Sequence, residues 1–506
     1  MTGKGGIRRI EVRHRGQKMP VLAMMSGVLI LGGCANFSPD GGMSKVQSLT
    51  TVALQKDVVR IRSEDDAHEV EARVRGTLAS PLTIEKAVQV ALLSNRGLQA
   101  AFAELATTEA EQIEAGLPPS PTLSLARLVG PISGTGFGAA LEIERQILVN
   151  VLGLLTLPKR RDIAEHRFKQ AQLRATESVL KLAADTRRAY IRAVAAAQTV
   201  TFLEEAKEAA EATSEVAKRL GETGALNKLQ QAREHVFYAE LGAQLAAAKL
   251  RRGSERERLI RLMGLWGKDT NIKLPAKLPG IPKRIEPLKE IEAEAIEKRI
   301  DLQIAKMELD ILAKVYGLTH STRFINVLEV RGMRSFERER VTTVLPDGDV
   351  EFERAKTRWT GLELEFQIPI WDLGKSRTRK AEETYMQTVH RLADRATAIR
   401  SEVRESYSGY RGTYDIAMHY QKEVLPLRKI ISDETLLRYN AMVADLSDLL
   451  VDARARVMAN ISAIDALREY YLAKADLQVA IIGGGVGGGP EGPKMAAAGG
   501  EGAGGH

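Results

Sequence analysis

A chain of 506 residues could hold several ordinary domains, but few prolines, 5% aromatics and a middle crowded with Ala, Leu, Glu, Lys, Arg and Gln favour long helices and coiled coils. The formal charge of +8 owes most to the N-terminus, where Lys4, Arg8, Arg9, Arg13, Arg15 and Lys18 face only Glu11; about +3 remains elsewhere, too little to point to nucleic acid. No apolar run after residue 33 reaches the ~18–20 residues of a membrane-spanning helix, so any later crossing must be made by strands.

In chain order, residues 1–33 read as a signal peptide: the basic region, the apolar core PVLAMMSGVLIL, then Gly32 and Gly33. It stops at Cys34, the single cysteine, so the mature chain can form no internal disulfide. Leu31-Gly32-Gly33-Cys34 resembles the lipobox of bacterial lipoproteins, which implies acylation of the Cys34 thiol. Ala35 after it implies, by resemblance to enterobacterial sorting, the outer membrane. Residues 34–80, with a charge cluster over Arg60–Arg75, read as a lipid-anchored lead-in, extended or partly helical.

A first unit spans 81–264. Thr83 is placed to cap a helix on which Ala87, Val90, Ala91, Ala101, Leu105 and Ile113 keep helical spacing until Gly116 and Pro118-Pro119. A β-hairpin follows over 120–149, with strands Thr122–Arg127 and Ala139–Val149 around the turn GPISGTGFG. In its second strand Leu141, Ile143 and Ile147 alternate with Glu142, Glu144 and Gln146, and Arg145 interrupts the apolar row. The apolar run LLTLP leads through Pro158 into a helix over 161–220, roughly 90 Å long at ~1.5 Å per residue. Gly221-Glu222-Thr223-Gly224 breaks it, and a second helix returns over 225–263. On this return helix Leu229, Ala232, Val236, Ala239, Ala243, Ala246 and Leu250 form a heptad seam, so the pair reads as an antiparallel coiled-coil hairpin.

After a Pro- and Lys-rich linker over 265–290 the scheme repeats over 291–479: helix, β-hairpin 323–370, long helices 375–438 and 444–475. Ala91-Leu92-x-x-Asn95-x-x-Leu98-x-x-Ala101 matches Ala295-Ile296-x-x-Arg299-x-x-Leu302-x-x-Ala305; Lys159-Arg160-Arg161 matches Lys375-Ser376-Arg377; Gln231-Ala232-Arg233 matches Asp452-Ala453-Arg454. The offsets drift slowly, 204, 216 and 221 residues, as in a duplicated unit with small insertions. The last strand is the clearest: Leu362, Leu364, Phe366, Ile368 and Ile370 alternate with Glu363, Glu365, Gln367 and Pro369. A strand of that length fits a membrane barrel with a wet inner face, or a soluble sheet with one solvated face.

Residues 480–506 form a Gly-rich tail whose Gly483-x-Gly485-x-x-Gly488 lacks the following helix and acidic residue of a dinucleotide site, and it reads as disordered. Scattered histidines have no metal-ligand spacing, and no nucleophile–base arrangement is visible. The expectation is therefore no enzyme, no cofactor and no metal.

The two Ala-x-x-x-(Asn/Arg)-x-x-Leu segments, the junction Trp371-Asp372-Leu373-Gly374-Lys375 and the two tips, Arg219–Leu226 and Arg438–Leu446, resemble in order and duplication the TolC family of outer-membrane efflux proteins, from Leu82 to about Val479. That resemblance implies a mainly α fold with a small membrane β-barrel contribution. Long antiparallel coiled-coil hairpins and two β-hairpins per chain would build a trimeric α/β-barrel channel. It implies the exit duct of a tripartite efflux or export system, whose partners are a homotrimer's own copies, a periplasmic adaptor (membrane-fusion) protein, an inner-membrane pump and outer-membrane lipid, with no nucleic acid. Independently, four short strands cannot close a barrel alone, since closed membrane barrels start near ~8 strands. The candidate sites are adaptor-docking positions Arg219, Gly221, Gly224, Leu226, Arg438 and Met442; constriction carboxylates Asp445, Asp448 and Asp452; and lumen-facing Glu142, Glu144, Glu363 and Glu365. The second tip lacks the glycine usual in the family. The competing reading is a lipid-anchored periplasmic coiled-coil scaffold without a channel.

Overall fold

The computed structural model describes residues 37–131, 137–224, 226–285, 290–344 and 350–483. The expected signal peptide, Cys34, the tips of both β-hairpins and the tail from residue 484 lie outside them. The chain divides after Ser38, and the body runs from Pro39.

The lead-in is helical: α1 (Met43–Leu54) and α2 (Glu64–Leu78), the latter opened by a capping box between Ser63 and Asp66. Thr83 caps the next helix as expected, accepting from Lys86 N at 3.3 Å. The single helix expected to run on to Gly116 is instead two, α3 (Ile84–Ser94) and α4 (Arg96–Gly116). Asn95 breaks it: its backbone is extended and its side chain accepts from Leu98 N at 3.0 Å, a cap rather than a helix interior.

Strands β1 (Thr122–Pro131) and β2 (Phe137–Asn150) follow, then α5 (Val151–Glu222), 72 residues or about 108 Å at ~1.5 Å per residue. Its start lies ten residues before the expected one. Asn150 caps it through Gly153 N at 2.6 Å, so the LLTLP run and Pro158 are inside the helix rather than ahead of it. The return helix α6 (Lys228–Leu262) packs against α5 and against Leu450 of the last helix with Phe237, Leu241 and Leu245, not with the expected seam. All seven seam residues are exposed. The helix carries two apolar stripes, and the one with larger side chains takes the intrachain contact.

The second unit copies the first. α7 (Ile291–Lys298) and α8 (Ile300–Ser321) break at Arg299, where the first unit breaks at Asn95. Strands β3 (Val327–Val344) and β4 (Val350–Gln367) lead into α9 (Lys375–His419). The expected uninterrupted helix to 438 widens to a π turn at Tyr420–Val424 before α10 (Leu425–Asn440). Pro426 has no amide for the carbonyl four residues back, which accounts for the widening. α11 runs Leu446–Ile482, about two turns past the expected limit.

The four strands form one antiparallel sheet in the order β1-β2-β3-β4, so β2 and β3 join the two repeats and β1 and β4 are edges. The core lies where the short helices meet α5. One cluster gathers Val70, Val90, Tyr190, Val194, Leu259 and Met263; a second gathers Val46, Val88, Phe102, Val179, Ile300 and Ile304. The linker is held by structure that its sequence did not reveal. Tyr414 Oη donates to the carbonyls of Pro282 and Lys283, and Tyr471 Oη to those of Pro279 and Gly280.

Candidate functional site

The register sorts the sheet into two chemically distinct faces, because directly opposed residues share a face. One face carries the rows Leu123–Ile147–Gly332–Leu362, Val149–Val330–Leu364 and Leu328–Phe366. Its apolar side chains stand in the open, Leu362 at 80% exposure. The other face carries all four acidic positions expected to line a lumen, Glu142, Glu144, Glu363 and Glu365, together with Glu329, Glu337 and Glu339. Arg331 lies among them, 3.1 Å from Glu363 and 3.5 Å from Glu365, and Ser335 Oγ donates to Glu142 at 2.9 Å. The alternation read in β2 and β4 thus holds across all four strands at the helix-proximal end of the sheet.

Asp372 organises the joint between β4 and α9. Its carboxylate accepts from Gly374 N at 2.9 Å and Ser376 N at 3.1 Å, bonds that hold its pKa below the ordinary range. Leu373 and Gly374 both have positive φ, and a Cβ at Gly374 would collide with the carbonyl of Arg323. The first repeat makes its joint at Asn150, where one side-chain oxygen on the first turn of α5 does the same work, and not at Pro158-Lys159.

At the first tip α5 ends in a turn through Gly224, φ +77°, with Leu226 N donating to Leu220 O at 3.1 Å. Gly221 leaves room for the Gln231 side chain, which donates to Leu226 O at 3.0 Å. Arg219 is exposed and pairs with Glu215 one turn back. The second tip solves the same problem without glycine. Val443 N donates to Arg438 O at 2.9 Å and Met442 N to Tyr439 O at 3.0 Å, a Schellman motif with Met442 at the left-handed position, φ +60°. Met442 is 94% exposed, and Arg438 is exposed beside it.

The three aspartates beyond this tip differ. Asp445 and Asp448 form a capping box at the start of α11, each accepting from the other's amide, and both remain exposed. Asp452, one turn further, is only 7% exposed, with Oδ1 lacking a partner among the described residues. Nearby on α6, Glu234 is 1% exposed and neither oxygen has a partner among the described residues; burial raises its pKa. In the sequence Glu234 shows only as a lone acid between the apolar positions of a helix.

No family model and no curated protein matches the sequence. Solved structures do match. The CmeC outer membrane channel of Campylobacter jejuni is 17% identical, with a TM-score of 0.67 over 79% of this chain and 86% of that one. The chain has the fold of these outer membrane channels. The MtrE outer membrane channel of Neisseria gonorrhoeae, in its open state, is 17% identical with a TM-score of 0.62 over 79% and 89%. The outer membrane protein VceC of Vibrio cholerae is 13% identical with a TM-score of 0.62 over 80% and 97%. The channel fold is the one that the resemblance to the TolC family implied.

Proposed function

We propose that the chain is the outer-membrane exit duct of a tripartite efflux or export system, working as a homotrimer with a periplasmic adaptor and an inner-membrane pump. The observation that carries this reading is the sheet: β1 and β4 are open edges, and one face is apolar and exposed. In lipid, open edges leave unsatisfied amides and carbonyls, so the sheet must close against further copies. The exposed seam on α6, with its small Ala residues and heptad spacing, supplies a second face for close helix contact between copies.

Within that assembly Glu142, Glu144, Glu363 and Glu365 face the lumen, and the apolar face meets lipid. The tips, through Arg219, Gly221, Gly224, Leu226, Arg438 and Met442, receive the adaptor. Asp448, with Asp445 and Asp452 around it, forms the acidic constriction once repeated about the axis. Acylation of Cys34 would anchor the chain in the same membrane.

Edge closure can be tested with cysteine pairs. Ser124→Cys in β1, combined in turn with substitutions along 357–367 of β4, should give disulfide-linked oligomers from one register in membranes. No crosslink at any register would remove the shared barrel.

A further inference from the structure

The apolar face of the sheet has a second property, which the register alone reveals. Arg145, which in sequence merely interrupts an apolar strand, stands directly opposite Arg334 in the row Leu125–Arg145–Arg334–Thr360. The next row is Arg127–Ile143–Phe336–Arg358, and the one beyond it, Val129–Leu141–Arg338–Lys356, sets a second pair of cations directly opposed. Like charges opposed across a strand pair destabilise a sheet unless a counter-charge intervenes. None is at hand: every carboxylate of the described strands projects from the opposite face. Arg127, Arg145, Arg334, Arg358 and Lys356 are exposed and make no ion pair among the described residues, whereas Arg331 on the acidic face makes two. Further copies closing the barrel would present the same acid-free face, so assembly does not supply the missing charge.

The position of these rows says what would. Taking Phe366 as the helix-proximal end of the apolar face, Arg358 lies eight residues further along the strand. At ~3.4 Å per residue and a ~40° tilt this is roughly 20 Å of height, against an apolar band ~25 Å tall in membrane barrels. The rows of Arg358 and Lys356 thus reach the far interface of the bilayer, with Ile143, Phe336 and Leu141 interleaved among them, and Arg145 and Arg334, one row lower at roughly 16 Å, are within reach of it along their long side chains. A soluble anion has no use for the apolar neighbours, and a neutral lipid leaves the cations unmatched.

We propose that this face is a binding surface for a phosphate-bearing anionic lipid in the leaflet distal to the helices, its phosphate bridging Arg145 and Arg334 and its chains lying over the apolar rows. The proposal rests on the membrane reading above. Each cation near an anionic surface contributes ~1 kcal/mol, so the set should give a preference of at least about tenfold over a zwitterionic lipid.

The test is native mass spectrometry of the detergent-solubilised oligomer with equimolar phosphatidylglycerol and phosphatidylcholine, and separately with inorganic phosphate. The wild type should retain phosphatidylglycerol preferentially. The variant Arg127→Gln/Arg145→Gln/Arg334→Gln/Arg358→Gln should lose the preference, and Arg331→Gln on the other face should keep it. If the fourfold variant does not fold, Arg145→Gln/Arg334→Gln should lower the preference severalfold. Unchanged preference in these variants, or phosphate protecting the oligomer as well as the lipid does, would overturn the site. Channel activity in neutral bilayers is expected to survive the substitutions; its absence in the wild type would instead defeat the channel reading.

Discussion

Asn95 and Arg299 stand at equivalent breaks in the two repeats and do the same work: Asn95 Nδ2 donates to Leu262 O at 2.9 Å, and Arg299 Nη1 to Ala480 O at 3.1 Å. Each thereby ties the end of its repeat's return helix to the start of that repeat. A glycine with positive φ follows each tied helix, Gly264 and Gly483, and a Cβ on either would press on the opposing break, at Ser94 O or Ile300 N. The residues differ because the second break also carries charge. Arg299, fully buried, forks onto Asp301 and reaches Glu402 at 2.9 Å, and Arg395 closes the ring from the other side.

Removing these ties should cost unequally. Asn95→Ala loses a cap and one hydrogen bond, about 1–2 kcal/mol. Arg299→Ala leaves Asp301 and Glu402 short of a buried partner, about 3–5 kcal/mol. Denaturant midpoints of the purified protein measure both, and equal losses would contradict the distinction.

The same ring sets an acid limit. Burial alone would raise the Asp301 carboxyl, but the hydrogen bonds from Arg299 and Arg395 outweigh it and hold the pKa below the ordinary value. A group depressed in the folded state contributes stability above its unfolded pKa of ~3.9, lost as pH falls through the folded value. Asp301→Asn should therefore be less stable than wild type at pH 7, with the gap closing in acid. Parallel stability curves would show that the ring contributes nothing through ionisation.

Glu234 has the opposite sign. Its pKa is raised by burial, with Arg454 opposing, so the cost of holding it grows as pH rises from the ordinary glutamate value through the raised one. Glu234→Leu should raise the thermal midpoint at pH 8 and change it little at pH 4. A variant less stable than wild type at both would mean that the carboxylate has a partner in the assembly.

Met442 pairs a backbone cost with exposure. Met442→Gly relieves the left-handed strain, and after the added unfolded-state entropy it should gain about 0.5–1 kcal/mol. The same change removes an apolar side chain that stands 94% exposed at the tip, so adaptor affinity should fall while stability rises. Affinity unchanged in a titration against the adaptor would take Met442 out of the docking surface.

Much of this architecture is legible in the sequence because period and duplication are strong signals: four strands, two repeats and long helices were all readable from spacing. What escaped has physical causes. Asn95 lay within the repeat motif yet read as a helix interior, since a side chain bonding its own backbone looks like any polar residue. Pro158 read as a helix opening because proline is usual there, while the true cap was Asn150. The α6 seam is an apolar stripe, but spacing alone cannot say which of two stripes meets its own chain. Arg145 read as an interruption because only the register places Arg334 beside it.

The most direct test of a conducting assembly is electrical. Purified, folded oligomer added to planar bilayers should give discrete conductance steps, and Asp448→Ala/Asp452→Ala should raise the conductance or weaken block by divalent cations. Folded oligomer that inserts into the bilayer and passes no current above the protein-free baseline would contradict the channel and leave a scaffold.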